Sequence, residues 1–168
     1  MRSSIVCGLV VGGVLAGAAL AAEQGLVEPG GKIGVMSVVR GDTDNSDENV
    51  FDACLISAPK PGTYHTSCSV AKVPRLFIGA SWYEPTQKEL DYAWKHERWK
   101  LWVDGQQVDL PRFGTTDSHL TARSNGKLLF LRSWRVTLAG ASGKHTIHYQ
   151  FQLPDGTINV TLDITIEK

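Results

Sequence analysis

Neither charge is in surplus in this chain: 17 Lys and Arg stand against 17 Asp and Glu in 168 residues. With no basic excess to neutralise phosphates, electrostatics argue against a nucleic-acid partner. They argue equally against adsorption on an anionic membrane surface through charge alone. Apolar runs are short as well, none reaching the ~20 residues that a membrane-spanning helix needs. Cysteine is scarce, with three in the chain, and no two are spaced Cys-x-x-Cys. Catalytic signatures are missing too. Gly79 to Ser81 and Gly140 to Gly143 lack the Gly-x-Ser-x-Gly spacing of a nucleophile elbow, and no helical His-Glu-x-x-His occurs. A carboxylate pair for glycoside hydrolysis stays open, because its members lie far apart along a chain. Internal repeats are absent, and low complexity is confined to the N-terminal segment.

What is present suits one exported domain. Hydrophobic residues make up 42% of the chain and charged residues 20%, an ordinary globular balance at a length that holds a single core. The first segment, MRSSIVCGLVVGGVLAGAALAAEQ, carries Arg2, an apolar run from Ile5 to Leu20 and small residues at Ala19, Ala21 and Ala22. That order predicts a secretory signal peptide over 1–22, with a retained anchor as the alternative. Cys7 opens the apolar run rather than closing it, so lipoprotein processing does not fit. Cleavage leaves Cys54 and Cys68, which an oxidising destination is expected to join. The bridge closes a loop of about 15 residues and contributes on the order of 3 kcal/mol in the chain-entropy picture. The alternative, a metal or redox pair, has only His65 between the cysteines as a further ligand.

Periodicity then predicts a mostly β domain over 33–168. EQGLVEPGGK (23–32) reads as a flexible lead, Ile33 to Val39 as a strand, and GDTDNSDENVFD (41–52) as an acidic loop. Val50 to Ile56 reads as a strand carrying Cys54, SAPKPGTYHTS as a turn, and Val70 to Ala80 as an apolar stretch around Pro74. In EPTQKELDYAWKH, Thr86 and Glu89 make a capping box, with Leu90 and Trp94 as the stripe of a short helix. Leu128 to Leu138 reads as a strand with Trp134, Val136 and Leu138 on one face and Ser133, Arg135 and Thr137 on the other. His145, Ile147, Tyr149, Phe151 and Leu153 alternate with polar residues. Beyond the Pro154-Asp155-Gly156 turn, Ile158, Val160, Leu162, Ile164 and Ile166 alternate in the same way, as in an antiparallel sheet with one buried and one wet face.

GASWYEPTQKELDYAW, WKLWVDGQQVDL and RSWRVTLAGASGKHTIHYQF, in that order, resemble secreted bacterial immunoglobulin-like β-sandwich modules of uncharacterised function. The resemblance covers about the C-terminal 90 residues. It implies an antiparallel immunoglobulin-like sandwich with one short helix, and export, and it transfers no catalytic residue.

The remaining candidates are individual side chains. Asp104-Gly105 is a type I′ hairpin signal. Its register faces Val103 with Gln106, Trp102 with Gln107, Leu101 with Val108, Lys100 with Asp109 and Trp99 with Leu110. Trp99, Leu101, Val108 and Leu110 then share the core face, and Trp102 stands opposite with Lys100 and Arg98. Trp102 is either an exposed platform for a sugar or protein, or a ring covered by the helix or by the turn at Trp82, and the burial preference of large aromatics favours cover. Asp42, Asp44, Ser46 and Glu48 mimic a calcium loop, yet Asp47 stands where Gly is needed and Ala53 where Glu is needed. Only a looser oxygen site from Asp42, Asp44, Asp47 and Asp52 remains, against a solvated loop. His145 and His148, three apart in a strand, cannot share an ion; His145 is expected to bond the corner backbone. Asn159 in Asn-Val-Thr faces outward as a glycosylation acceptor.

The sequence thus predicts a secreted or periplasmic, non-enzymatic binding or structural module for a protein or glycan partner. Its binding residues would be Trp102, Lys100, Arg98 and Gln107, with no cofactor and no metal. A small secreted glycan hydrolase and a calcium-dependent adhesion module are the alternatives.

Overall fold

A computed structural model of the protein describes residues 25–41, 47–54, 60–121 and 126–167. The expected signal segment, Asp42 and Asp44 lie outside them. No helix among the described residues is long and apolar enough to cross a membrane.

The chain is mostly β, in the order β1 (Lys32–Ile33), β2 (Met36–Arg40), β3 (Glu48–Asn49), α1 (Val50–Ala53), β4 (Gly62–Val70), β5 (Arg75–Phe77), β6 (Ser81–Glu84), α2 (Gln87–His96), β7 (Arg98–Val103), β8 (Gln106–Gln107), α3 (Leu110–Phe113), β9 (Thr115–Thr121), β10 (Leu128–Trp134), β11 (Val136–Ala139), β12 (Gly143–Leu153) and β13 (Gly156–Ile166). Three sheets result: sheet I, β1-β2-β11-β5-β3; sheet II, β6-β10-β9; and sheet III, β4-β13-β12-β7-β8. Apolar faces of sheets I and III meet in one core, with Val38, Leu76 and Leu138 from one and Leu101, Ile147 and Leu162 from the other. The inward rows of β12 and β13 are those that alternation predicted, and Ile158 through Ile166 are all buried at every second residue. Tyr149, fully buried within this core, donates its hydroxyl to the Ile78 carbonyl at 2.9 Å. Burial alone raises its pKa well above the ordinary tyrosine value.

Several expectations are corrected. The sheets are not wholly antiparallel, since β4 runs parallel to β13 and β3 parallel to β5. The single helix expected is α2, capped by Thr86, whose hydroxyl oxygen accepts from the Glu89 N–H, and two one-turn helices, α1 and α3, accompany it. Val50 to Ala53 forms a helical turn rather than a strand because Asn49 caps it, its side chain accepting from the Phe51 N–H. The Cys54–Cys68 disulfide therefore ties the end of α1, and not a strand carrying Cys54, to β4, with Cα atoms 5.5 Å apart. Ile33 to Val39 is a hairpin of β1 and β2 with Gly34 at φ 58° in its turn. The supposed turn after Pro61 is already strand β4. In the expected lead, Val27 is buried and bridges Val108, bonding Gln107 and Asp109 through its backbone. β9 went unforeseen.

The expected strand 128–138 breaks at Arg135. There the β10–β11 chain passes from sheet II to sheet I while the β5–β6 chain, paired antiparallel to it, passes from sheet I to sheet II. Gly79 lies at the crossing, where a Cβ would run into the Trp134 carbonyl. The crossing also buries part of the polar face: Thr137 is fully buried and Ser133 nearly so.

Candidate functional site

The hairpin at Asp104 places the candidate residues. Asp104 at φ 47° and Gly105 at φ 78° both adopt the left-handed conformation that a type I′ turn requires. Trp102 pairs with Gln107 and Val103 with Gln106, as the register predicted. The Val108 N–H also donates to the Leu101 carbonyl at 2.8 Å, in the predicted register, and the ladder stops there. Pro111 lacks the N–H to extend it and suits the first turn of a helix, so Leu110 leaves for α3 with Asp109 at its N-cap. Trp99 and Leu110 are therefore not partners, and Lys100 lies opposite Gln150 of β12 rather than Asp109.

The outward face of sheet III is built in rows across its strands. Gln107, Trp102, His148, Thr161 and His65 make one row, and Lys100, Gln150, Asn159 and Thr63 make the next. Helix α2 docks on the other side of the molecule's aromatic cluster, against β6 and β10, so Trp102 is not under it. The favoured covered reading is thus overturned for its two named covers. Trp82 contacts Trp99 at 6.1 Å on the inward side. Trp102 is half-buried by its own neighbours, its ring meeting His148 edge to face at 5.1 Å and 89°. Gln107, Trp102 and Lys100 come together on this face. Arg98 does not join them as a free cation: its guanidinium donates to the carbonyls of Lys95 and Glu97 at the end of α2.

At one end of sheet III lies a recess of about 690 Å³ lined by Asp104, His145, Thr146, Asp163 and Ser67 among others. Its carboxylates are engaged. Asp104 accepts from the Thr146 N–H and lies 2.8 Å from Nδ1 of His145, while the Nε2 of that ring faces the Ser142 carbonyl at 3.1 Å. His145 thus binds the corner backbone, as expected, and the turn aspartate in addition. Asp163 accepts from Nε2 of His65 at 2.7 Å and from Thr146 at 2.9 Å. The bond from His65, then that from Thr146, hold its carboxyl below the usual range. His148 points outward and His145 inward, so strand parity separates them as argued.

The acidic loop has a different fate from the one proposed. Asp47 is buried, accepting from Arg75 Nε at 2.7 Å and from the Thr137 hydroxyl at 2.8 Å, so its oxygens hold the sheet together. Asp52 sits in the first turn of α1. No group of three or more His, Cys, Asp or Glu that could hold a metal ion occurs among the described residues.

Glu97 went unnoticed in the sequence. It caps the C-terminus of α2, is 7% exposed, and has an Oε2 without a hydrogen-bond partner. Burial first, and the charge of Glu84 second, push its pKa from 4.5 to about 7. Trp94 and Trp99, which flank it in the chain, belong to an aromatic nest: Trp94 packs on Trp99 and Trp134 at 5.0 and 5.1 Å, and Trp99 meets Phe151 at 4.6 Å. The signal was available, since Glu97 opens the inward row that continues through Trp99 and Leu101. The His65–Asp163 pair could not be seen, because it depends on the long-range parallel pairing of β4 and β13.

No protein-family model and no curated protein matches the chain. Among solved structures it is similar to PbICP-C in complex with falcipain-2, at 14% identity and a TM-score of 0.34, over 66% of this chain and 93% of that one. It is also similar to amebosin in solution, at 12% identity and a TM-score of 0.28, over 62% of this chain and 96% of that one. At these scores neither likeness bears on fold or function.

Proposed function

We propose that this protein is an exported, non-enzymatic, immunoglobulin-like binding module that takes a glycan on the outward face of sheet III. The observation that carries the reading is Trp102, an aromatic ring on a solvent-facing sheet row beside His148, with amides and hydroxyls in its own row and the next: Gln107, Thr161, Gln150 and Asn159. The C–H faces of a sugar ring stack on an aromatic, while neutral side chains that both donate and accept match its hydroxyls. Paired strands hold them with little ordering cost on binding. Support for export comes from the Cys54–Cys68 disulfide, which persists in oxidising compartments. Lys100 stands exposed at the edge of the patch, where it orients a ligand more than it anchors one.

The test is a screen of the chain without residues 1–22 against immobilised glycans, followed by titration of any glycan captured. Trp102→Ala is expected to weaken binding at least about tenfold, loss of a stacked aromatic at a binding centre being worth about 2 kcal/mol. Its melting temperature should stay within about 3 °C of the parent, a shift near 1 kcal/mol for a domain of this size. Capture of no glycan would overturn the reading. A large fall in melting temperature would show Trp102 to be a packing residue, and release of cleaved sugar would favour the hydrolase.

A further inference from the structure

A second recess, of about 470 Å³, opens between sheet II and the β3–α1 segment. Sheet II has two unlike faces. On one, Arg132 binds Asp117 and Asp91 and lies 5.8 Å over the Trp94 ring, so α2 covers it. The other carries Leu131 opposite both Tyr83 and Ser118, and Leu129 opposite Leu120. These apolar side chains are only partly covered, and Tyr83 is 58% exposed.

Facing that wall is an acidic one. Of its three carboxylates, Asp47 is neutralised by Arg75. Glu48 and Asp52 are exposed, and among the described residues they form no ion pair and no Lys or Arg lines the recess, which His119 also borders. Two unpaired carboxylates in a partly enclosed space attract a cation more strongly than the same groups on an open surface, because less water screens them. The adjacent leucines favour a cation that brings apolar surface with it. This face also runs past the recess: from Leu129, outside it, through Leu131 to the buried Ser133 within it, the strand spans about 13 Å, the length of four extended residues and more than a free amine fills.

We propose that this recess receives an extended segment of a partner protein, with a Lys or Arg paired to Glu48 and Asp52 and a neighbouring bulky apolar side chain packed on Leu131 and Tyr83. The surface is separate from the sheet III face and stands whether or not that face binds glycans. The protein would then join two partners, each held on its own sheet.

The probes are the capped pentapeptide Ser-Leu-Arg-Leu-Ser, its counterpart with Glu for Arg, and agmatine, titrated into the ¹⁵N-labelled chain. The Arg peptide is expected to shift the amides of Glu48, Asp52, Leu120 and Leu131 saturably, and less so at high salt. Glu48→Gln with Asp52→Asn should weaken it by about threefold to tenfold, as for exposed ion pairs. Tyr83→Ser, an exposed change that spares the core, should weaken it with the melting temperature unchanged. The proposal falls if the recess shows no saturable shift, if the Glu peptide binds as well, if the paired amides leave affinity unaltered, or if agmatine matches the peptide.

Discussion

Replacing Glu97 by Gln is expected to abolish the principal pH dependence of stability near neutrality. Glu97 has a native pKa of about 7 against 4.5 for the exposed group, raised mainly by burial and further by Glu84. An acid with a raised native pKa binds its proton more tightly folded than unfolded. Between about pH 4.5 and 7 the native state therefore holds a proton that the unfolded state has released, and stability falls as pH rises through that window. At about 1.4 kcal/mol per pKa unit, the difference amounts to about 3 kcal/mol, fully present below pH 4.5 and lost above 7. For a domain of this size that is a drop of about 6–12 °C in melting temperature between pH 5 and pH 8. Asp117 and Asp163, held below the ordinary range by Arg132 and His65, act in the opposite sense. Their contribution is lost only as pH falls below about 4, so the two windows do not overlap. The assay is thermal melting followed by tryptophan fluorescence from pH 4.5 to 8.5. Glu97→Gln should flatten the curve, equal the parent near pH 5 and exceed its stability at pH 8 by about 2–3 kcal/mol. Parallel curves for parent and variant, or a parent that gains stability from pH 5 to 7.5, would refute the reasoning.

Further predictions concern the frame. Gly79→Ala is expected to cost about 3 kcal/mol or more, measured by urea unfolding, because its Cβ meets the backbone oxygen of Trp134, which cannot move aside without breaking the crossing of two strand pairs; a change below about 1 kcal/mol would show that the crossing is loose. Replacing Cys54 and Cys68 by Ser should lower unfolding free energy by about 3 kcal/mol, leaving sheet III intact by circular dichroism since only α1 and β4 are joined. A loss of β signal would instead make the bridge essential to folding.

Local signals were legible wherever neighbouring residues alone decide the outcome. The Thr86 capping box, the Asp104-Gly105 turn and the alternation of β12 and β13 depend on contacts a few residues apart or on the two-residue period of a strand. The structure follows each of them. Polar residues that meet across the fold were illegible. Asp47 read as a solvated loop residue because Arg75 and Thr137 reach it only through sheet I. Glu97 shares the inward parity of Trp99 and Leu101, but parity alone does not show that the fold buries it to 7% exposure. Two of the candidate binding residues changed company for the same reason: Lys100 gained Gln150, and Arg98 turned to the helix end.

By itself the sequence determined the inward and outward rows of each long strand, since side chains alternate by covalent geometry, and hence that Trp102 stands on the opposite side of its strand from Trp99. Tertiary structure decided what covers each row. Helix α2 closes over sheet II and the core closes behind sheet III, so of five tryptophans four are drawn into one cluster, while Trp102 is left on the outward face. Cover is set by which surfaces bury the most apolar area together, a property of the assembled sheets and not of any one strand.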